Sequence, residues 1–216
     1  MSRTEANVTV AQSQERPLSA LDAIFTRRSV RSYTGQKPDE ATIRALLDAT
    51  VQAPTAMHAE PWAFVVIQDD ATLKRLSDRA KGTWAKEVVK YRDLHIPGEK
   101  ALAKSFADQF ANPEFSIFYD AGTLIVICAK PMGPFVVADC WLAAENLMLA
   151  ACAMGLGTCC IGLAVPALNT ADAKAELDIP SDVTAVAPII VGVPSGSPEP
   201  ISRRDPEILH WTPIRR

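Results

Sequence analysis

The stretch from Val136 to Gly162 constrains the fold most. Val136–Met154 carries apolar residues on every face, with only Asp139, Glu145 and Asn146 strongly polar. A helix that is apolar all round is expected to be a buried core helix. It is too short, and too interrupted by acids, to be read as a bilayer span. Asp139 stands near its start, where a carboxylate favours the positive end of the helix dipole. Gly155 and Gly157 end it. The small apolar run Thr158-Cys159-Cys160-Ile161-Gly162 then reads as a glycine-rich turn. Such a turn delivers backbone N–H groups to one spot, suited to a flat cofactor. A plain core helix with a tight turn is the competing reading.

The 216 residues suit one domain with an insertion, or a compact chain that pairs with a copy of itself. A net charge of -3 argues against a general nucleic-acid surface, which needs a basic field. The five cysteines lie mostly in apolar runs and form no C-x-x-C pair, so reduced thiols in the cytoplasm are expected. Residues 1–16 are polar, without the apolar core of a secretory signal, and read as a flexible N-terminal arm.

Residues 17–216 read as a single domain. Pro17 opens a helix with Leu18, Leu21, Ile24 and Phe25 at helical spacing. It runs into Arg27-Arg28-Ser29-Val30-Arg31, whose guanidinium forks match phosphate oxygens. Pro38-Asp39-Glu40 starts a second helix with Ile43, Leu46, Leu47 and Thr50 on one face. The loop 55–61 precedes an apolar strand, Trp62–Gln68. His58 and Glu60 lack a third ligand at recognisable spacing, so no metal is expected. Leu73 and Leu76 suggest a short helix. Residues 82–119 gather many of the aromatics in a charged segment, with a helix over Glu99–Phe110, and read as a lid-like insertion. Gly122–Ala129 and Thr184–Val193 read as strands, and Pro166–Leu177 as a short helix. Gly155-x-Gly157 follows a helix and lacks a third glycine at Cys160, so it is no dinucleotide fingerprint. No P-loop and no G-x-S-x-G is present.

Together these pieces resemble the flavin-dependent nitroreductase family. The matching motifs are Arg27-Arg28-Ser29-Val30-Arg31, Ala53-Pro54-Thr55 with Glu60-Pro61-Trp62, Asp139 with Ala144-Glu145-Asn146-Leu147-Met148-Leu149-Ala150-Ala151 leading to Gly155-Leu156-Gly157, and the late Arg204-Asp205-Pro206. The resemblance implies an α+β fold, a mixed and mostly antiparallel sheet surrounded by helices. It also implies an intertwined homodimer with FMN at the dimer interface. By that likeness Arg27, Ser29 and Arg31, within the segment that includes Arg28 and Val30, grip the ribityl phosphate and the pyrimidine edge. Arg204 reaches the phosphate. Thr55, Ala56 and Met57 come from the other subunit, and Cys160, Ile161 and Gly162 face the ring. Cations near the N1–C2 edge and a backbone N–H at N5 suit hydride chemistry.

One departure bears on the substrate. Where many members carry Ser-Ser-x-Asn-x-Gln, this chain has Thr55-Ala56-Met57-His58-Ala59-Glu60, and His58-x-Glu60-Pro61-Trp62 looks closer to the iodotyrosine deiodinase branch. Glu87 and Tyr91, four apart on a helix, could hold an amino-acid zwitterion with Lys104, the competing reading being an ordinary solvated helix face; with Met57 and His58 these are the candidate substrate contacts. Against that, deiodinase-like proteins place a threonine hydroxyl at N5, and Ile161 and Gly162 offer none. The expected function is thus an FMN-dependent oxidoreductase. NAD(P)H reduces the flavin, which reduces a small-molecule acceptor such as a nitroaromatic or quinone in a ping-pong cycle. No side chain acts as acid or base. Reductive dehalogenation and flavin binding without turnover are the alternatives. Neither a metal, a nucleic acid nor a membrane partner is expected.

Overall fold

The computed structural model describes residues 18–91 and 108–214, with backbone alone over 85–91. The N-terminal arm expected over 1–16 lies outside the described residues, as does most of the helix expected at Glu99–Phe110.

Three of the four strands follow the apolar runs: β1 (Trp62–Ile67), β2 (Thr123–Ala129) and β4 (Thr184–Gly192). The fourth, β3 (Gly157–Cys160), is a correction to the sequence reading, which made this stretch part of a turn. Four small residues carry too little periodicity to declare a strand; pairing with β4 decides it. The sheet order is β1-β2-β4-β3, antiparallel throughout, with β1 and β3 at the edges. Pro188 stands inside central β4, beside a bulge that skips Val186 between the Ala187 and Ala185 pairs. Bulges are one of the few places a sheet tolerates proline. The bulge turns Val186 and Ala187 to the same face. The Asn169 side chain answers the disrupted ladder: its Oδ1 accepts from the Ala185 N–H at 2.9 Å and its Nδ2 donates to Ala185 O at 2.8 Å.

Alternation along β2 splits the core into two layers. Leu124, Val126 and Cys128 face α3 (Asp70–Tyr91) and the short helix α5 (Val165–Leu168). Ile125, Ile127 and Ala129 face α2 (Glu40–Thr50) and α4 (Val136–Ala153). The helix read at Pro166–Leu177 is two pieces, α5 and α6 (Ala171–Glu176), because Thr170 caps a new start by accepting the Ala173 N–H. The short helix expected around Leu73 and Leu76 is the 22-residue α3. A capping box of Ser19 and Asp22 starts the first helix, α1 (Ala20–Thr26).

Helix α4 ends in a Schellman motif. Leu156 N–H donates to Ala151 O at 2.8 Å, Gly155 N–H to Cys152 O at 3.1 Å, and Gly155 takes φ +76°. The expectation that α4 is buried all round needs correction. Cys140, Ala143, Ala144, Leu147 and Ala151 pack on the sheet, whereas Val137, Trp141 and Leu142 remain exposed. Composition cannot tell a face covered by its own chain from one that is not. By length and composition alone α4 also matches a membrane-crossing helix, 18 residues at mean hydropathy 1.5, which corrects the reading that it is too short. Its small-residue face is spent on the sheet.

Candidate functional site

The outer edge of β3 organises the site. Ser29 forms an isolated parallel bridge with Thr158, and Val30 N–H donates to Thr158 O at 2.9 Å. The arginine-rich segment is thereby strapped along an edge that would otherwise present unpaired backbone. The Tyr33 hydroxyl donates to Val30 O at 2.8 Å and fixes the segment from below. At the end of β3 the chain enters a 3₁₀ turn, Gly162–Ala164. Ile161 N–H is already given to Pro188 O at 2.9 Å. Gly162 and Leu163 stand ahead of the first bond within the turn, from Ala164 N–H to Ile161 O at 2.9 Å, so their N–H groups are not used by it. A cavity of about 210 Å³ opens here, lined by Arg31, Phe115, Tyr119, Cys160, Gly162 and Leu163 among others.

The three arginines are held differently. Arg27 Nε lies 3.6 Å from Glu145 Oε1 on α4. Arg28 Nη1 donates to Phe25 O and Arg27 O, both at 2.8 Å, and so caps the end of α1. The Nε atoms of Arg27 and Arg28 are buried without a hydrogen-bond partner among the described residues. Arg31 is exposed, its guanidinium carbon 6.0 Å from the centre of the Tyr119 ring. Burial pushes the Cys160 thiol up to about 11. Burial also raises Cys159, against the pull of Arg31, Ser29 and Arg27. The thiols are therefore neutral, and the charge beside the cavity is cationic.

The other sequence-predicted residues lie elsewhere. Thr55, Ala56, Met57 and His58 sit on a loop anchored to α4, where the Ala56 N–H donates to the Asp139 carboxylate at 3.2 Å. Met57, His58 and Glu60 adopt left-handed backbone, φ 55°, 53° and 44°, and Met57 is 95% exposed. Neither this loop nor Arg204 lines the Arg31 cavity. Arg204 stands on an exposed tail, residues 195–214, without helix or strand. One chain thus brings Arg27–Arg31 together with Cys160–Gly162 and leaves Thr55–His58 and Arg204 apart. Glu87 and Tyr91 fall on α3 where only backbone is described, and Lys104 lies outside the described residues.

Sequence reasoning missed the contacts of Tyr119 and Glu145. Glu145 meets Arg27 across 118 positions, for which no local signal exists. The Tyr119-Asp120-Ala121-Gly122 turn was more legible, since turn residues before a strand mark a special backbone.

The comparisons with known proteins agree on one family. Its model, described as the nitroreductase family, matches residues 24–193. The chain belongs to the nitroreductase family. A protein of Archaeoglobus fulgidus, provisionally named NADH dehydrogenase/NAD(P)H nitroreductase, is 27% identical to this nitroreductase-family chain over 198 residues, covering 88% of it and 95% of the relative. The nitroreductase of Bacteroides fragilis, solved with bound FMN, superimposes at a TM-score of 0.72 with 23% identity, over 92% of this chain and 100% of that one. Iodotyrosine deiodinase, solved with FMN and 3-iodo-L-tyrosine, gives 0.66 with 21% identity over 91% of this chain and 100% of that one. At those identities the last two likenesses concern the fold.

Proposed function

We propose that this nitroreductase-family chain is an FMN-dependent NAD(P)H oxidoreductase that reduces a nitroaromatic, quinone or similar small acceptor. One observation carries the reading: the arginine-rich segment is bridged to β3 at Ser29, and its Arg31 lines the cavity at the end of that strand together with Cys160, Ile161 and Gly162. The donor set fits a flat anionic cofactor. The Nε atoms of Arg27 and Arg28 are buried without a hydrogen bond among the described residues, Arg27 having only its 3.6 Å ion pair to Glu145, and a buried donor left without a hydrogen bond is costly until something accepts from it. FMN, when bound, would take a hydride from the nicotinamide and pass reducing equivalents to the acceptor.

The chain's own residues bind and orient. Arg27, Ser29 and Arg31 hold the phosphate and the pyrimidine edge, and Arg204 adds a further phosphate contact. Arg28 acts at one remove, keeping the end of α1 in place. Cys160, Ile161 and Gly162 form the floor, where the neutral thiols keep the surroundings dry and uncharged except for the arginines. Thr55, Ala56 and Met57 come from a second copy. Exposed Leu21, Ile24 and Phe25 on α1 and Val137, Trp141 and Leu142 on α4 support an extensive apolar homodimer interface. Both substrates use one pocket in turn, giving ping-pong kinetics. Five free cysteines support a reducing, cytoplasmic location.

The test is direct. The purified protein should be yellow, NADH or NADPH should bleach it, and an added quinone or nitroaromatic should restore the colour. A colourless protein that takes up no FMN would sink the reading. A yellow protein that neither nicotinamide bleaches would reduce it to flavin binding without turnover.

A further inference from the structure

Arg31 is the arginine of the cradle whose donors are uncommitted. Arg27 faces Glu145 and Arg28 faces two carbonyls, but Arg31 makes no hydrogen bond or ion pair among the described residues. A long, exposed side chain in that state loses rotamer freedom on gripping a ligand. The Tyr119 ring, 6.0 Å from its guanidinium carbon, is what can limit that freedom, since a cation is attracted to an aromatic face at this range.

Tyr119 is itself held at one end of an aromatic chain and by its own turn. Its ring meets Phe115 edge-on at 5.7 Å, Phe115 stacks on Phe110 at 6.0 Å, and Phe110 meets Trp84 edge-on at 4.8 Å. Its backbone is left-handed, φ 52°, as is that of Asp120, φ 55°. Consecutive non-glycine residues in that region are unfavourable and persist only where surrounding contacts hold them. Here Tyr119 N–H donates to Ser116 O at 3.0 Å and Ala121 N–H to Phe118 O at 3.1 Å. The turn sends Phe118 into the core and turns Tyr119 out to the cavity.

We propose that Tyr119 is a positioning residue for Arg31, an aromatic shelf that holds the guanidinium at the cavity in the orientation used to grip FMN. This rests on the flavin reading above. A guanidinium beside a flavin favours the electron-rich reduced form, so the shelf also sets how readily the cofactor accepts electrons.

The experiment compares FMN affinity of the apoprotein and the midpoint potential of bound FMN. The proteins are the wild type, Tyr119→Phe, Tyr119→Leu, Tyr119→Met, Arg31→Met and the double variant Arg31→Met/Tyr119→Leu. Loss of the ring should weaken FMN binding about two- to thirtyfold and make the potential more negative. Tyr119→Phe, which keeps the ring, should restore both. With Arg31 already replaced, Tyr119→Leu should add nothing. Two ring-less variants with matched unfolding midpoints guard against a folding defect. Wild-type affinity and potential in both ring-less variants would overturn the proposal, as would an undiminished effect of Tyr119→Leu in the Arg31→Met background. A wild-type apoprotein that binds no FMN would overturn the flavin reading instead.

Discussion

Gly157 lies against Val30: a Cβ at position 157 would come within 2.9 Å of both the Val30 Cβ and Cγ1. The contact sets how closely the arginine-rich segment approaches β3. The Ser29–Thr158 bridge and the bond from Val30 N–H to Thr158 O both depend on that approach.

Gly157→Ala should therefore push the Arg27–Arg31 segment off the sheet edge. Overpacking of this kind costs about 1–3 kcal/mol. Urea unfolding should show the loss, and FMN titration should show weaker binding. Trimming Val30 to Ala should give only partial relief, because its Cβ is itself in the clash.

Asp139 is 4% exposed, and its carboxylate accepts the Ala56 N–H at 3.2 Å. Asp139→Leu leaves that N–H without an acceptor and should cost about 1–3 kcal/mol. Asp139→Asn keeps an acceptor oxygen and should cost less. Hydrogen exchange at the Ala56 amide should accelerate in the Leu variant and hold closer to wild type in the Asn variant.

Arg204 projects from the exposed tail with no partner among the described residues. If it reaches the cofactor phosphate, Arg204→Ala removes a charge-assisted bond worth about 1.5–3 kcal/mol. FMN retention after exhaustive dialysis should fall accordingly. Unchanged occupancy would remove Arg204 from the site.

Phe25 on α1 is 74% exposed and Trp141 on α4 is 43% exposed. An aspartate at either position would place an unpaired charge in the proposed dimer interface, a strongly unfavourable burial. Phe25→Asp and Trp141→Asp should sediment as monomers at low concentration. They should lose FMN in parallel, because Thr55–Met57 of the second copy would be gone. A flavin-loaded monomer would defeat the dimer proposal.

Two buried thiols, Cys128 and Cys140, and the half-buried Cys160 make stability fall in alkali. Burial pushes Cys128 and Cys160 up to about 11 and Cys140 up to about 12, from an ordinary value of 9.0. Above pH 9.0 the unfolded chain sheds these protons while the folded chain keeps them. The unfolded state then binds fewer protons, so stability declines as pH rises. The loss starts near pH 9 and levels off for Cys128 and Cys160 near 11. Denaturation midpoints between pH 8 and 11 should trace it, and replacing Cys128 by Ala should flatten the slope.

Much of the architecture follows from local pattern. The apolar runs at Trp62–Ile67, Thr123–Ala129 and Thr184–Gly192 are strands in the structure, and the capped, periodic stretch Glu40–Thr50 is a helix. Gly155 ends α4 in left-handed backbone, for which glycine has no steric penalty. Side-chain period and turn chemistry act over a few residues, so one sequence contains them. The clustering of Arg27, Ser29 and Arg31 is equally local.

Contacts between distant segments decided the rest. Thr158–Cys160 became strand because β4 offered its edge, and Arg31 became part of a cavity because Ser29 and Val30 bind Thr158. The apolar girth of α4 was plain from its residues, but which face meets the sheet depended on Ala143, Ala144 and Leu147 fitting against β2 and β4. The Tyr119 ring reached Arg31 only through two left-handed residues and an aromatic stack joining Trp84, Phe110 and Phe115. Pairing across such separations is set by the packing of the whole chain, and no local spacing encodes it.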